Sequence, residues 1–228
     1  MEAIILAGGF GTRLKQVVNN LPKPMAPING RPFLEILLNL LLKKGFSRVI
    51  ISLGYMAEKI SNYFGNTFKG IEIKYIIEET PLGTGGAVRL CIDSCTQKEV
   101  FVFNGDTFID IEIENIKKQW ERNQNLIVVG KYVIDSSRYG RLVTNGNKVT
   151  SFVEKGISSP GLISAGCYLI ATNNLLKFSI NKAFSIEKDY LIPEILQTNV
   201  EVFTSKGLFI DIGVPEDYLK AQKLLANV

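Results

Sequence analysis

The sequence predicts an α/β fold in which helices flank a mainly parallel sheet, with an antiparallel elaboration in the second half. Over residues 1–125, apolar runs rich in Ile and Val alternate with helical patterns, which is typical of crossover connections between parallel strands. From residue 126 onwards, Val-rich alternating segments separated by turn residues indicate antiparallel strand pairs. A length of 228 residues fits one domain, since domains average about 150 residues. We therefore predict a single domain, 1–228, with halves of about 1–125 and 126–228.

The first half contains four apolar runs and four helical patterns in alternation. The segment 32–44 illustrates the helices, because Pro32 suits a first helical position and Gly45 suits a C-terminal cap. The predicted strands are 3–7, 48–53, 71–77 and 99–103, and the predicted helices are 32–44, 55–64, 84–95 and 112–123.

The second half contains strand patterns with few helices. Asn and Gly at 145–147 are typical of a hairpin turn. The predicted strands are 126–134, 141–144, 148–154, 162–171 and 207–210, and the predicted helices are 187–197 and 215–226. Because no internal repeat or Pro/Ser-rich linker separates the halves, we expect the second half to fold onto the same sheet as the first.

The chain contains no histidine, which excludes several classes of chemistry. Ser-His-Asp hydrolysis, a Cys-His pair and a His-ligated zinc or haem site all require that residue. Any chemistry therefore depends on Asp, Glu, Lys, Arg or the backbone. The net charge of +4 fits an anionic small ligand and gives little support to nucleic-acid binding, so no nucleic-acid partner is predicted.

Cysteine use and the N-terminus predict a cytoplasmic protein. Cys91, Cys95 and Cys167 are odd in number and lack C-x-x-C spacing, so we predict reduced core residues rather than disulfides or a zinc site. The first residues lack a basic leader, and apolar stretches fall well short of the roughly 18 residues of a membrane span. No membrane partner is predicted, and a homo-oligomer is left open.

A glycine-rich loop follows the first strand directly. Gly8, Gly9 and Gly11 let backbone N–H groups approach an anion closely, and Arg13 and Lys23 add positive charge nearby. The loop matches neither the P-loop nor the G-x-G-x-x-G dinucleotide pattern. We predict a phosphate cradle, for which a plain glycine-rich turn is the structural alternative.

Two aspartates follow predicted strands. Asp106 comes after 99–103 and Asp211 after 207–210, so both are expected at carboxyl ends of strands, on the same sheet edge as the glycine loop. Mg²⁺ prefers one or two carboxylates together with phosphate oxygens. The pair therefore predicts a Mg²⁺ site, although Asp106 alone would also suit a turn cap.

The motifs together resemble those of the sugar-1-phosphate nucleotidylyltransferases. The family's opening pattern L-A-G-G-x-G-T-R-L followed by P-K-P matches residues 6–14 and 22–24. Its P-x-G-T-A-G-A loop resembles 81–87, and its G-D, E-K and D-x-G elements resemble 105–106, 154–155 and 211–213. The resemblance covers nearly the whole chain and implies a Rossmann-like nucleotide-diphospho-sugar transferase fold, with the sugar-binding elaboration in the second half.

The resemblance also implies a role for each matched residue. Arg13 and Lys23 would be catalytic and grip the nucleotide phosphates, and Asp106 and Asp211 would hold Mg²⁺. The implied nucleotide-binding residues are Leu6, Ala7, Gly8, Gly9, Gly11, Thr12, Glu78, Glu79, Gly83, Thr84 and Gly105. The implied sugar-phosphate-binding residues are Gly140, Glu154, Lys155 and Gly166.

The implied reaction joins a nucleoside triphosphate to a sugar 1-phosphate. The sugar-phosphate oxygen attacks the α-phosphorus in line and releases pyrophosphate. Within the family, the chain is most similar to guanylyltransferases acting on manno-configured sugars, particularly D-glycero-D-manno-heptose 1-phosphate, a precursor for surface polysaccharide. The alternatives are a mannose- or glucose-1-phosphate nucleotidylyltransferase, a phosphocholine cytidylyltransferase and a non-catalytic regulatory subunit that binds sugar nucleotides.

Two adjacent glutamates predict which base is bound. Glu78 and Glu79 directly precede the 81–87 loop. An ionised carboxylate only accepts hydrogen bonds, so it suits the adjacent N1–H and N2–H donors of guanine and repels the carbonyls of uracil and thymine. The sequence therefore predicts GTP as the donor nucleotide, for which a solvated strand end is the structural alternative.

Overall fold

Strands and helices alternate along the protein, as seen in a computed structural model that describes all residues except 10, 12, 13, 15–17, 19, 154 and 157. The strands are β1 Glu2–Leu6, β2 Pro27–Ile28, β3 Arg31–Pro32, β4 Arg48–Leu53, β5 Thr67–Phe68, β6 Ile71–Ile77, β7 Glu99–Asn104, β8 Thr107–Ile109, β9 Ile127–Val133, β10 Arg141–Asn145, β11 Lys148–Val153, β12 Gly161–Ala171, β13 Glu201–Thr204 and β14 Phe209–Asp211. The α-helices are α1 Phe33–Lys43, α2 Ala57–Phe64, α3 Gly83–Ile92, α4 Ile113–Asn123, α5 Ile192–Gln197 and α6 Pro215–Leu224.

A ten-stranded sheet crosses both halves in the order β10-β11-β13-β9-β12-β7-β1-β4-β6-β5. Strands β7, β1, β4 and β6 are parallel, as the alternation of strands and helices predicts. Strand β12 is antiparallel to both β7 and β9, so it joins the second half to the first. The α/β class is confirmed, and the second half extends the same sheet. The sheet as a whole is mixed, because the parallel strands of the first half are joined to antiparallel strands of the second half.

Some elements differ from the prediction. Strand β13 runs parallel to β9, whereas only antiparallel pairs were expected in the second half. The predicted helix 187–197 is a π-helical segment, Ile186–Leu191, followed by α5. Pro193 contributes to this change, because it has no N–H to continue the α-helical hydrogen bonds. The hairpin β2–β3 and the ribbon β8–β14 were not predicted as pairs.

Strands β1, β4 and β7 are buried on both faces, whereas β6 exposes Glu72 and Lys74 on one face. Ile4 belongs to one apolar layer and Ile5 to the other, as the two-residue period of a strand requires. Residues of α1, α2, α4 and α6 pack in the layer of Ile5, and residues of α3 and the π-helical segment pack in the layer of Ile4. Both faces of β1, β4 and β7 are therefore covered, as is usual for parallel strands.

The loops that follow β1, β4 and β7 touch one another through their backbones. The Ala7 N–H donates to the Ser52 carbonyl at 2.9 Å, and the Gly105 N–H donates to the Leu6 carbonyl at 2.9 Å. A Cβ at Gly54 would lie 2.7 Å from the Gly8 carbonyl oxygen, and one at Gly105 would lie 2.6 Å from that of Leu6. Glycine at these positions lets the loops close together at the carboxyl edge of the parallel strands.

No helix among the described residues combines the length and the apolar character needed to cross a membrane.

Candidate active site

A cavity of about 360 Å³ lies at the carboxyl edge of the parallel strands. The sequence-predicted residues that line it are Leu6, Ala7, Gly8, Gly9, Gly11, Lys23, Glu78, Gly83, Thr84, Gly105 and Asp106. The structure thus brings the glycine loop, the 81–87 loop and the G-D element together. The predicted residues Thr12, Arg13 and Glu154 lie outside the described residues.

Lys23 places a positive charge beside the glycine loop. It begins a 3₁₀ turn, Lys23–Met25, and its side chain is 12% exposed. Its ammonium group forms an ion pair with the Asp106 carboxylate. Gly11 has a φ of +58°, and a Cβ there would lie 2.9 Å from the Lys23 Cβ, so glycine lets the loop pass close to this lysine.

The two predicted metal ligands converge through the β8–β14 ribbon. Asp211 is the last residue of β14, in register with Thr107, and the Ile212 N–H donates to the Asp106 carbonyl at 2.9 Å. One detail of the prediction is wrong, because β14 belongs to a separate two-stranded sheet rather than to the edge of the main sheet. The ribbon nevertheless directs Asp211 towards the other predicted residues.

Burial and the negative charge of Asp106 raise the pKa of the Asp211 carboxyl above its ordinary value. The positive charge of Lys23 and the hydrogen bond from the Gly213 N–H oppose this rise. Within the described part of the chain, Asp211 Oδ1 accepts from Gly213 and Oδ2 has no hydrogen-bond donor. A free carboxylate oxygen beside a second carboxylate suits a divalent cation, so the two aspartates fit Mg²⁺.

The described residues contain no group of three or more His, Cys, Asp or Glu side chains arranged to hold a metal. A metal held by Asp106 and Asp211 would therefore need further ligands from substrate phosphate or water. This matches the coordination that Mg²⁺ adopts with nucleotides rather than an all-protein cage.

The N-terminus of α3 opens onto the cavity. The helix begins at Gly83, which has a φ of +67°, and both Gly83 and Thr84 line the cavity. The N–H groups of Gly85 and Gly86 in its first turn donate to the Phe184 carbonyl, at 3.0 and 3.3 Å, so the helix dipole is what favours an anion at this position. Thr84 also has a structural role, since its hydroxyl accepts from the Ile186 N–H at 3.0 Å. A Cβ at Gly85 would lie 2.2 Å from the Phe184 ring, so glycine allows this close packing.

The two glutamates before this loop occupy different environments. Glu78 lines the cavity and accepts hydrogen bonds from the Ser52 hydroxyl at 2.8 Å and from the Leu82 N–H at 3.0 Å. Glu79 is exposed and does not line the cavity. The two residues are equivalent candidates in the sequence, whereas their positions in the fold distinguish them.

None of the predicted sugar-phosphate residues that the structure describes, Gly140, Lys155 and Gly166, lines the cavity. Gly166 has a φ of +66°, and a Cβ there would lie 2.5 Å from Nδ2 of Asn104, which does line the cavity. Gly140 packs where a Cβ would lie 2.1 Å from the Phe152 ring, and its carbonyl accepts from the Ser164 N–H at 2.9 Å. Lys155 is exposed. The structure brings Gly166 next to the cavity but does not place Gly140 or Lys155 on it.

The model of the family described as Nucleotidyl transferase matches residues 2–228. The chain belongs to this family. It is 44% identical, over all of its own length and 99% of the relative's, to D-glycero-alpha-D-manno-heptose 1-phosphate guanylyltransferase of Aneurinibacillus thermoaerophilus. It is 43% identical to the protein of the same name from Campylobacter jejuni, with 96% of this chain and 97% of the relative covered.

A solved structure also resembles this nucleotidyl transferase along nearly its whole length. HddC from Yersinia pseudotuberculosis complexed with GMP-PN superposes with a TM-score of 0.87 at 37% identity, covering 98% of each chain. The resemblance to the sugar-1-phosphate nucleotidylyltransferases, the fold class and the interpretation as an enzyme are thereby confirmed.

Sequence reasoning missed several side chains near the cavity of this nucleotidyl transferase. Asn104 lines the cavity directly before the G-D element, a position that could have suggested it. Arg138 forms an ion pair with Asp217 of α6 and lies over the Tyr139 ring, 5.4 Å from its centroid. Burial, followed by the negative charge of Asp211, raises the pKa of Tyr139 to about 12. Tyr139 therefore stays neutral beside the acidic pair.

The three cysteines of this nucleotidyl transferase are free thiols outside the cavity lining. Burial raises the pKa of each thiol, to about 12 for Cys95, so each is protonated and unreactive. We expect a variant with Cys91→Ala, Cys95→Ala and Cys167→Ala to retain activity, as measured by pyrophosphate release. A variant that keeps its circular-dichroism spectrum but has no activity would contradict this expectation.

Proposed function

We propose that the protein transfers GMP from GTP to D-glycero-α-D-manno-heptose 1-phosphate, giving GDP-heptose and pyrophosphate for surface-polysaccharide synthesis. The observation that supports this choice of substrates is the 44% identity, over essentially the full length of both chains, to a relative named for that reaction. The complex of HddC with the guanine nucleotide GMP-PN supports the same base.

The reaction needs alignment and charge neutralisation more than proton transfer. A phosphomonoester has a second pKa of about 6, so the sugar 1-phosphate is ionised at neutral pH and attacks without a general base. One of its oxygens bonds to the α-phosphorus as the bond to the β-phosphate oxygen breaks, and the electron pair leaves with pyrophosphate. Lys23 and the α3 N-terminus lie where they would stabilise the phosphate charge.

Mg²⁺ is part of the proposal. Asp106 and Asp211 are the residues that would hold it, because they are the two predicted ligands that the ribbon brings together. When bound, the ion would supply positive charge to the phosphate oxygens, which is its usual contribution to phosphoryl transfer. Lys23 lies against Asp106 and would add a fixed positive charge to the same group of oxygens.

A substrate panel tests the proposed function. The wild-type enzyme is incubated with GTP, ATP, CTP, UTP or dTTP and with heptose, mannose or glucose 1-phosphate, and pyrophosphate release and product mass are measured. We expect the highest kcat/KM for GTP with the heptose 1-phosphate. A higher value with mannose or glucose 1-phosphate would refute the sugar assignment. Absence of pyrophosphate release with every pair would support the non-catalytic alternative instead.

The base preference should depend on Glu78. We expect Glu78→Gln to weaken the preference for GTP over UTP about tenfold to a hundredfold, because charge-assisted hydrogen bonds contribute about 1.5–3 kcal/mol. Glu79→Gln is the matched control, since it makes the same chemical change on an exposed side chain away from the cavity. The measurement is the ratio of kcat/KM for the two nucleotides. An unchanged ratio in Glu78→Gln would mean that this carboxylate does not contact the base.

A further inference from the structure

Ser52 is a buried hydroxyl that the proposed reaction does not use. It lies in β4, is 0% exposed, and is surrounded along its strand by Val, Ile and Leu. Burying a hydroxyl in such a strand is costly unless the group is hydrogen-bonded. Its partner is the Glu78 carboxylate, to which it donates at 2.8 Å. The hydroxyl also lies beside the buried Cys91 thiol, but its hydrogen bond to a carboxylate is with a residue of the cavity wall.

Glu78 is held by one donor on each of its oxygens. The Ser52 hydroxyl donates to Oε1 and the Leu82 N–H donates to Oε2 at 3.0 Å. Two donors on different oxygens fix both the position and the plane of the carboxylate. Because a carboxylate has about four acceptor sites, roughly one per oxygen remains for a ligand. Glu78 lines the cavity, so a ligand that hydrogen-bonds to this carboxylate there must use these remaining sites.

Ser52 also holds the glycine loop. Its carbonyl accepts from the Ala7 N–H at 2.9 Å. The next residue, Gly8, packs directly over the same carboxylate, and a Cβ there would lie 2.5 Å from Glu78 Oε1. Ser52 thus contacts the predicted phosphate loop through its backbone carbonyl and the Glu78 carboxylate through its hydroxyl.

We propose that Ser52 is a positioning residue for base selection. Its hydroxyl orients Glu78 so that the two remaining acceptor sites meet two adjacent N–H donors, the arrangement on the edge of guanine. This inference depends on the proposed function, in which Glu78 contacts the base. Without the hydroxyl, Oε1 loses its fixed donor and the carboxylate rotates about the Leu82 contact, so part of the binding energy is spent on reorienting it.

The chain contains a matched control away from the cavity. Ser205, which is 3% exposed, donates to Oε2 of Glu112 at 2.8 Å, and the Lys206 N–H donates to Oε1 at 3.1 Å. This buried serine therefore holds a carboxylate together with one backbone N–H, as Ser52 does. Neither Ser205 nor Glu112 lines the cavity. The Ser205 hydroxyl also accepts from the Gly207 N–H at 3.1 Å, so Ser205→Ala carries at least the structural cost of losing such a contact, without altering the base-binding wall.

The experiment compares the wild type with Ser52→Ala, Glu78→Gln, the double variant and Ser205→Ala. For each protein, kcat and KM are measured with GTP and with UTP, and the thermal unfolding temperature is determined. We expect Ser52→Ala to lower the GTP/UTP ratio of kcat/KM about fivefold, less than Glu78→Gln because the carboxylate itself remains, through a higher KM for GTP at unchanged kcat. In the Glu78→Gln background, Ser52→Ala should leave the ratio nearly unchanged. Ser205→Ala should lower the unfolding temperature without changing the ratio. Ser52→Cys keeps the volume with a weaker donor and should shift the ratio in the same direction.

The outcomes separate this inference from the proposed function. If Glu78→Gln lowers the GTP/UTP ratio and Ser52→Ala and Ser52→Cys leave it at the wild-type value, the role of Ser52 is refuted and the proposed base contact stands. Equal effects of Ser52→Ala in the wild-type and Glu78→Gln backgrounds also refute it, because Ser52 would then act independently of Glu78. A wild-type enzyme that uses UTP as well as GTP refutes the proposed base selection and this inference together.

Discussion

Replacing Lys23 with alanine should reduce kcat/KM about a hundredfold while the protein remains folded, because a preorganised cation contributes about 3 kcal/mol to stabilising phosphate charge. The Lys23 side chain is only 12% exposed and contacts Asp106, so water cannot readily replace its charge. Removing it also takes away the positive charge that partly balances the negative charges of Asp106 and Asp211. Pyrophosphate release at saturating Mg²⁺, with circular dichroism to check the fold, measures the effect.

Lys44 provides the control for this prediction. It also forms an ion pair with an aspartate, Asp110, but it does not line the cavity. We expect Lys44→Ala to retain activity within about twofold, since ion pairs of this partly exposed kind contribute little. A Lys23→Ala enzyme with activity equally close to wild type would contradict the assignment. The motif resemblance implies the same loss for Arg13→Ala, at a position outside the described residues.

Much of the fold was predictable because its parallel strands are either continuous apolar runs, as in β4, or alternate clearly between apolar and charged residues, as in β6. The runs at 48–53 and 71–77 coincide with β4 and β6, since Gly54 follows the first and Gly70 and Glu78 flank the second. The β8–β14 ribbon was not predictable as a pair, because two three-residue strands show no periodicity. The parallel pairing of β13 with β9 was equally hidden, since partner choice depends on tertiary contacts.

The site was predictable where a motif combines spacing with charge. The glycine loop, Lys23 and Asp106 meet at the cavity as expected. Ser52 was missed because a single hydroxyl within an apolar run looks like an ordinary strand residue. The choice between Glu78 and Glu79 also needed the structure, since the two residues follow the end of β6, where strand alternation no longer indicates which side chain faces inward.

Replacing Asp211 with asparagine should separate activity from stability. Burial and the Asp106 charge raise the pKa of Asp211, so the ionised carboxylate at neutral pH is unfavourable for folding. Asparagine removes the charge and keeps an oxygen that accepts from the Gly213 N–H. We therefore expect Asp211→Asn to unfold in metal-free buffer at or above the wild-type temperature, and yet to require more Mg²⁺ and turn over more slowly.

Asp106→Asn should share the metal defect without the gain in stability, because it removes the ion-pair partner of Lys23. The measurements are Mg²⁺ titrations of activity and the rise in unfolding temperature on adding Mg²⁺ with GTP, which reports ligand binding to the folded state. Asp93→Asn is the control, since Asp93 is an exposed carboxylate away from the cavity, and this variant should change neither measurement.

If both Asp106→Asn and Asp211→Asn keep the wild-type Mg²⁺ dependence, the aspartates only stabilise the ribbon, and the positive charge at the phosphates must come from Lys23, from Arg13 and from α3. In that case the effect of Lys23→Ala should exceed a hundredfold, because the lysine would then act without the ion.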